Sequence, residues 1–373
     1  MVLCENCYLQ VQTKFRLLVV RVGAMGDILH ALPAVTALRL AHPSWEIGWV
    51  VEPRWRGLLA APDATIRGAG MPVVDRLHFA ATRDWASNPI HPKTAASVST
   101  LRRELVSAEY DAVLDLQGSI RSATIARMAK IRRVIGEADP REKPARWLFT
   151  ERVATRGAHV IDQDLELASA IAGDELSFVQ AQLPLDAAAE AWCDALLQSS
   201  GTRPVALITP GAGWGAKRWP VGRYASVARG LMERGFRVLV NAGPSEEPLA
   251  DVIVKESSGG AIPLATTLDQ LIALTRRVAL CVAGDTGPLH LACALGRPVV
   301  GIYGPTDPSR NGPYGTQFRV LRSPESKRDH TRREEPEAGL LSIMPEDVLA
   351  AAAELAAAEP LQPEEVDLPE AEG

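Results

Sequence analysis

Phe15–Val22 reads FRLLVVRV and runs directly into Gly23-Ala24-Met25-Gly26-Asp27, and this junction decides the fold. A short run rich in branched apolar residues reads as a buried strand, and the glycines behind it allow a tight turn. From Ile28 to Leu40 the apolar spacing predicts a helix, which His42-Pro43 ends. Ile47–Val51 predicts the next strand. Further strands are expected at Ala112–Leu116 and Arg132–Ile135, with a helix over Ile120–Ala129 between them. Alternation of this kind builds βαβ units, whose parallel sheet is covered by helices on both faces.

The pattern then restarts. Pro204–Thr209 (PVALIT) predicts a strand, Pro210–Lys217 a glycine-rich loop and Val221–Arg234 a helix. Arg237–Asn241, Val278–Ala283 and Pro298–Tyr303 predict three more strands, and Asp186–Leu197 an Ala-rich helix between the halves. The expected organisation is a leader over 1–14, an N-terminal domain over 15–185, a C-terminal domain over 186–358 and an acidic tail over 359–373. A helix over Pro345–Ala358 closes the second domain. In open parallel sheets ligands bind outside the carboxyl ends of the strands, so two such sheets facing each other would share one cleft.

Composition narrows the function. The 373 residues are 47% hydrophobic and 23% charged, ordinary for a globular protein, and 40 basic against 45 acidic residues leave a net charge of −5. A globally basic nucleic-acid binder is excluded by that balance, and no nucleic-acid partner is expected. No uninterrupted apolar run reaches the roughly 18–20 residues that span a bilayer, and Met1–Lys14 lacks the plan of a secretory signal. The expected location is the cytoplasm. Five cysteines do not make a disulfide framework; Cys4 and Cys7 form an isolated C-x-x-C, while Cys193, Cys281 and Cys293 sit in apolar segments as core thiols.

Three segments carry candidate chemistry. Glu52 ends the second strand, where a ribose-binding acid would sit in a dinucleotide fold, but Gly23 and Gly26 do not give the G-x-G-x-x-G spacing. Asp27 falls in the first turn of a helix, whose dipole and free N–H groups favour the anion. It is either a cap or, facing the cleft, a base for a hydroxyl proton. In Gly284-Asp285-Thr286-Gly287-Pro288, the N–H groups of Thr286 and Gly287 would be free at a helix start to cradle a diphosphate. Asp285 would suit sugar hydroxyls, and a tight turn with a capping Asp is the plainer alternative. The loop Pro210–Pro220 closes on Lys217-Arg218-Trp219-Pro220, which is not a P-loop, yet Lys217 offers a point charge for phosphate. Glu246 stands at another strand-to-helix junction, fit for a ribose diol or for a first-turn position. Neither a D-x-D motif nor a His/Cys ligand cluster is read among these segments, so neither a metal nor a cofactor is expected.

These segments together resemble glycosyltransferase family 9, the lipopolysaccharide heptosyltransferases. The resemblance rests on G-x-x-G-D-x-x-H over Gly23–His30, Pro210-Gly211-Ala212 leading to Lys217-Arg218-Trp219-Pro220, and D-T-G-x-x-H over Asp285–His290 followed by Tyr303–Pro308 (YGPTDP). It covers about Phe15 to Ala358. Tyr110–Gly118 (YDAVLDLQG) and Arg141-Glu142 look most like the type I enzymes, whereas Ala212 and Gly213 depart from the hydroxyl residues of enterobacterial members.

The resemblance implies an α/β chain of the GT-B fold, two facing Rossmann-like domains with a central cleft. It implies an inverting transfer of L-glycero-D-manno-heptose from ADP-heptose to the Kdo of the lipopolysaccharide inner core. Type II or III enzymes, which act on an already heptosylated core, are the alternative; a GT-B-like nucleotide-sugar epimerase is a more distant one. By position, Asp27 would be the base. Lys217, Thr286, Gly287 and His290 would meet the diphosphate or heptose, and Asp285 the heptose. Glu246 would hold the ribose, and the backbone near Thr266 the adenine. Arg83, Arg121 and Arg141 would face the anionic Kdo-lipid A acceptor, or be solvated surface charge. The expected setting is peripheral, on the cytoplasmic face of the inner membrane.

Overall fold

The computed structural model describes residues 14–198, 201–243, 246–329, 331 and 334–358. Nearly all of the expected leader, its Cys4-x-x-Cys7 and the acidic tail lie outside the described residues. The first half builds a parallel sheet of β1 (Arg16–Val20), β2 (Glu46–Val51), β3 (Arg76–Phe79), β4 (Ala112–Asp115), β5 (Arg133–Glu137) and β6 (Glu151–Val153). The second builds another of β7 (Val205–Thr209), β8 (Arg237–Asn241), β9 (Ile262–Leu264), β10 (Leu280–Gly284), β11 (Val299–Tyr303) and β12 (Phe318–Arg322). The orders are β3-β2-β1-β4-β5-β6 and β12-β11-β10-β7-β8-β9, the same doubly wound order read from opposite edges.

The helices of the first half are α1 (Met25–Ala41), α2 (Thr82–Ser87), α3 (Pro92–Ser107), α4 (Ile120–Met128) and α5 (Val160–Ala172). After them come α6 (Ala187–Gln198), α7 (Val221–Glu233), α8 (Glu247–Glu256), α9 (Leu268–Thr275), α10 (Gly287–Ala294), α11 (Pro308–Asn311) and α12 (Pro345–Ala357). The central strands β1, β4, β7, β8, β10 and β11 are almost wholly buried, as continuous apolar runs require in a sheet covered on both faces.

Helix α1 is apolar nearly all round, with Ile28 to Arg39 buried without a break. An all-apolar helix needs neighbours on every side. Helix α5, α10 of the other half and the apolar side chains of β1 and β2 supply them. One apolar core accordingly runs through both halves, from Leu17, Leu29 and Leu114 by way of Leu183 to Leu207, Leu239 and Leu291. The connecting chain is stitched to both sides. Gln180 Nε2 donates to the Cys293 and Ala294 carbonyls, and the Leu185 N–H to the Ala69 carbonyl. Cys193, Cys281 and Cys293 are buried free thiols.

Candidate active site

The carboxyl ends of the two sheets meet where α1 and α10 begin. Both helices follow their strands within a few residues, so their first turns project from those edges. Glycine permits their close approach: a Cβ on Gly26 would lie 2.7 Å from His290 Cδ2, and one on Gly287 would lie 2.5 Å from Met25 Sδ. Asp27 on one half is thereby set beside the Asp285–His290 segment of the other.

Asp27 is a cap, and more. Its Oδ2 accepts the Ala24 N–H at 2.9 Å, while Oδ1 lies 3.6 Å from Arg21 Nη2. Arg21 also donates from Nε to the Asp27 carbonyl at 3.0 Å and is only 6% exposed. The Asp27 side chain keeps 35% of its exposure, enough for a ligand to reach it.

On the other half, Lys217 does not wait free for an anion. Its ammonium is paired with Asp285 Oδ2 and lies 4.3 Å from the Trp214 ring centroid. Asp285 Oδ1 is 3.3 Å from His290 Nε2. Burial alone would push the Asp285 carboxyl up, but the hydrogen bond from His290 and the charge and hydrogen bond of Lys217 outweigh it and hold it well below the usual carboxylate range. His290 Nδ1 lies 3.1 Å from Nε2 of His30, one turn beyond Asp27 on α1. Thr286 is the N-cap of α10, but its hydroxyl donates to the Gly284 carbonyl at 3.2 Å and no side chain caps the helix. With Pro288 in the first turn, the α10 start keeps the open N–H character expected of an anion site.

Glu246 and Thr266 lie further along the same sheet edge. Glu246 Oε2 accepts the Gly243 N–H at 3.1 Å, and the carboxylate occupies the space a Cβ on Gly211 would need, 2.1 Å from that oxygen. Thr266 Oγ1 donates to Asn241 Oδ1 at 2.9 Å, at the end of β8.

The three arginines are exposed and follow successive strands of the first sheet. Arg83 and Arg121 are joined through Thr82: Arg121 Nη1 donates to the Thr82 hydroxyl at 3.2 Å, and that hydroxyl donates to Glu52 Oε1 at 2.7 Å. Glu52 also accepts the Arg83 N–H and Arg54 Nε, so it is spent inside the protein rather than offered to a ribose. Arg141 adjoins the Gly118 turn, with its N–H atom 3.2 Å from where a Gly118 Cβ would be.

The Tyr110–Gly118 motif has supporting roles that its spacing does not show. Tyr110 turned out to be structural: its hydroxyl lies where a Gly48 Cβ would fall and is 2.8 Å from His78 Nε2. Gln117 accepts the Val22 N–H at 2.8 Å, tying the β4 loop to the β1 loop. Behind Arg21 lie two wholly buried carboxyls. Burial pushes Asp115 up to about 6 and Asp164 up to about 7, and each keeps an Oδ2 without a hydrogen-bond partner. Asp162-Gln163-Asp164 has the D-x-D spacing that the sequence reading passed over. It lies on α5, with Asp162 accepting the Tyr314 hydroxyl at 2.6 Å, and among the described residues no three His, Cys, Asp or Glu side chains gather as a metal site.

Comparison with known proteins agrees with this geometry. Lipopolysaccharide heptosyltransferase 1 of Pseudomonas aeruginosa is 28% identical to this chain over 80% of it and 81% of the relative. The solved structure of Escherichia coli heptosyltransferase WaaC with ADP superposes with a TM-score of 0.74 at 24% identity, covering 91% of this chain and all of that one. WaaC with ADP-2-deoxy-2-fluoro heptose gives 0.71 at 25% identity, covering 91% and 99%. The likeness fixes the fold as GT-B. The profile of glycosyltransferase family 9 (heptosyltransferase) matches residues 98–341, well over half of the chain. With its sheets, its motifs and that match in agreement, the chain belongs to glycosyltransferase family 9 and is a glycosyltransferase.

Proposed function

We propose that the protein transfers L-glycero-D-manno-heptose from ADP-heptose to a Kdo hydroxyl of the lipid A-linked inner core, with inversion. One observation carries the reading: a half-buried, solvent-reachable carboxylate, Asp27, and a lysine–aspartate pair, Lys217–Asp285, come from opposite halves to the touching first turns of α1 and α10. The relatives act on lipopolysaccharide by name, and one neighbour was solved with an ADP-heptose analogue.

In this mechanism Asp27 accepts the proton of the acceptor hydroxyl as its oxygen attacks the anomeric carbon. The carbon–oxygen bond to the diphosphate breaks on the opposite face, and ADP leaves with the bonding pair. The proton stays on Asp27, and no covalent intermediate forms. Lys217 turns from Asp285 to the diphosphate, and the uncapped N–H groups of α10 stabilise the same developing charge. Asp285 and His290 face the heptose, Glu246 the ribose and the Thr266 backbone the adenine. Arg83, Arg121 and Arg141 meet the anionic acceptor. Among the described residues no helix is long and apolar enough to cross a membrane, and peripheral contact with the cytoplasmic face of the inner membrane suits a lipid acceptor.

The test is direct. The protein is incubated with ADP-heptose and either Kdo-lipid A or an already heptosylated core, and the product is identified by mass. Addition of one heptose to Kdo-lipid A is expected; transfer only to the heptosylated core would assign the type II or III reaction instead.

A further inference from the structure

His30 belongs to the acceptor half, yet its Nε2 makes a hydrogen-bond contact across to the donor half, with His290 Nδ1 at 3.1 Å. The ring also stands edge-on to His290, with centroids 4.4 Å apart, and 5.7 Å from His159. Neither His30 nor His290 is more than 6% exposed. Two buried histidines joined head to head must place their protons with care, because a neutral ring has one donor and one acceptor nitrogen.

The chain of partners fixes those protons. Asp285 is an ionised carboxylate and can only accept, so His290 Nε2 carries the hydrogen at the 3.3 Å contact. In the neutral ring, His290 Nδ1 is then a bare acceptor. His30 Nε2 must therefore donate. His30 is suited to this: burial above all, with the Arg21 charge nearby, holds it well below the usual histidine range and keeps it neutral. His159 is otherwise engaged, with Nε2 at 3.2 Å from the Gly312 carbonyl.

We propose that His30 is a positioning residue of the donor site: it donates its Nε2–H to His290 across the seam, fixes His290 as the Nε2–H tautomer, and so holds Asp285 in place when Lys217 leaves it. This role rests on the reading that Lys217 turns to the donor diphosphate. At that moment Asp285 loses one of its two side-chain partners, and His290 alone aims it at the sugar. The same bond pins the α1 turn that follows Asp27 to the donor half.

Two measurements test it. In protein labelled with ¹⁵N-histidine, the His290 ring, assigned by comparison with His290→Gln, should carry its proton on Nε2 and leave Nδ1 bare. A proton on His290 Nδ1, alone or in an imidazolium, overturns the proposal even if no His30 variant folds. In kinetics, His30→Phe should lower kcat/KM for ADP-heptose about 10- to 100-fold, the scale of leaving a buried polar group unpaired, while ADP affinity stays within about threefold. His30→Gln, whose amide can donate from nearly the same place, should recover most of that loss. Wild-type kcat/KM in His30→Phe, or a loss in His30→Gln as deep as in His30→Phe, would overturn it. Absence of heptose transfer by the wild-type protein would instead strike the proposed function, and the His290 tautomer would still decide the role of His30.

Discussion

Gly26→Ala adds one carbon at the seam between the halves, and its cost can be worked from the distances. The new Cβ would lie 2.7 Å from His290 Cδ2, against about 3.5–4.0 Å for a comfortable carbon–carbon contact. The shortfall is roughly 1 Å. The His290 ring cannot swing aside cheaply, because its two nitrogens are engaged by His30 and Asp285. The first turn of α1 must give instead, and Asp27 is the next residue in it. A misplacement of about 1 Å at a reacting group can cost on the order of 100-fold in rate. Overpacking costs about 1–3 kcal/mol of stability, and the better helix propensity of Ala over Gly offsets about 1 kcal/mol of it. The expected variant is folded and slightly destabilised, with kcat down about 10- to 100-fold and ADP affinity little changed. Steady-state transfer, ADP calorimetry and a thermal melt read the three quantities. Gly68→Ala, where an added Cβ meets nothing within 4 Å, is the control. A Gly26→Ala protein with a lowered melting point but wild-type kcat would refute the reasoning, because the strain would then be absorbed without moving Asp27.

Asp27→Ala should lower turnover by about 10²–10⁴ while ADP-heptose affinity stays within a few-fold; near-normal turnover would leave Asp27 as a helix cap. Lys217→Ala should weaken ADP binding by an amount on the order of 1.5–3 kcal/mol, less whatever breaking the pair with Asp285 now costs; unchanged affinity by calorimetry would remove Lys217 from the donor site. Replacing Arg83, Arg121 and Arg141 with Ala should raise the acceptor KM and not the donor KM, most clearly at low salt, where exposed charges are screened least. An unchanged acceptor KM there would make them ordinary surface arginines. Burial pushes the Asp164 carboxyl up to about 7, above its unfolded value, so its stabilising contribution is full below about pH 4 and is lost as pH rises through about 7. Asp164→Asn should therefore gain in melting temperature relative to wild type between about pH 5 and pH 8; equal differences at both values would contradict that ionisation.

The central strands were legible because continuous apolar runs are an unambiguous signal, and Arg237–Asn241 matches β8 residue for residue. The edge strands were not. β3 (RLHF), β6 (ERV), β9 (IPL) and β12 (FRVLR) are short, partly polar and partly exposed, so only pairing with a neighbour makes them strands. Helix α1 starts at Met25 rather than Ile28, because the glycine turn is tighter than the apolar spacing alone suggests. At the site, motif spacing placed Asp27, Lys217 and Asp285 but could not pair them. The Lys217–Asp285 contact joins residues 68 apart, and His30–His290 joins residues 260 apart. Arg21 had no signal at all, because an arginine in a strand is unremarkable until its partners are in view; Gln117 was visible within Tyr110–Gly118, but nothing in the motif named Val22 as its partner.

The apolar core that continues through both halves has a consequence for recombination. In a protein of two independent lobes, the second half could be exchanged between relatives by cutting at the linker. Here such a cut would leave Leu29, Leu183, Leu207 and Leu291 facing side chains of another family member's shapes. The seam residues Met25, Gly26, His30, Gly287 and His290 would be mismatched with them. A change of donor or acceptor preference by module exchange therefore has to carry α1 and α10 as a matched pair. The chain inherits its two halves as one unit.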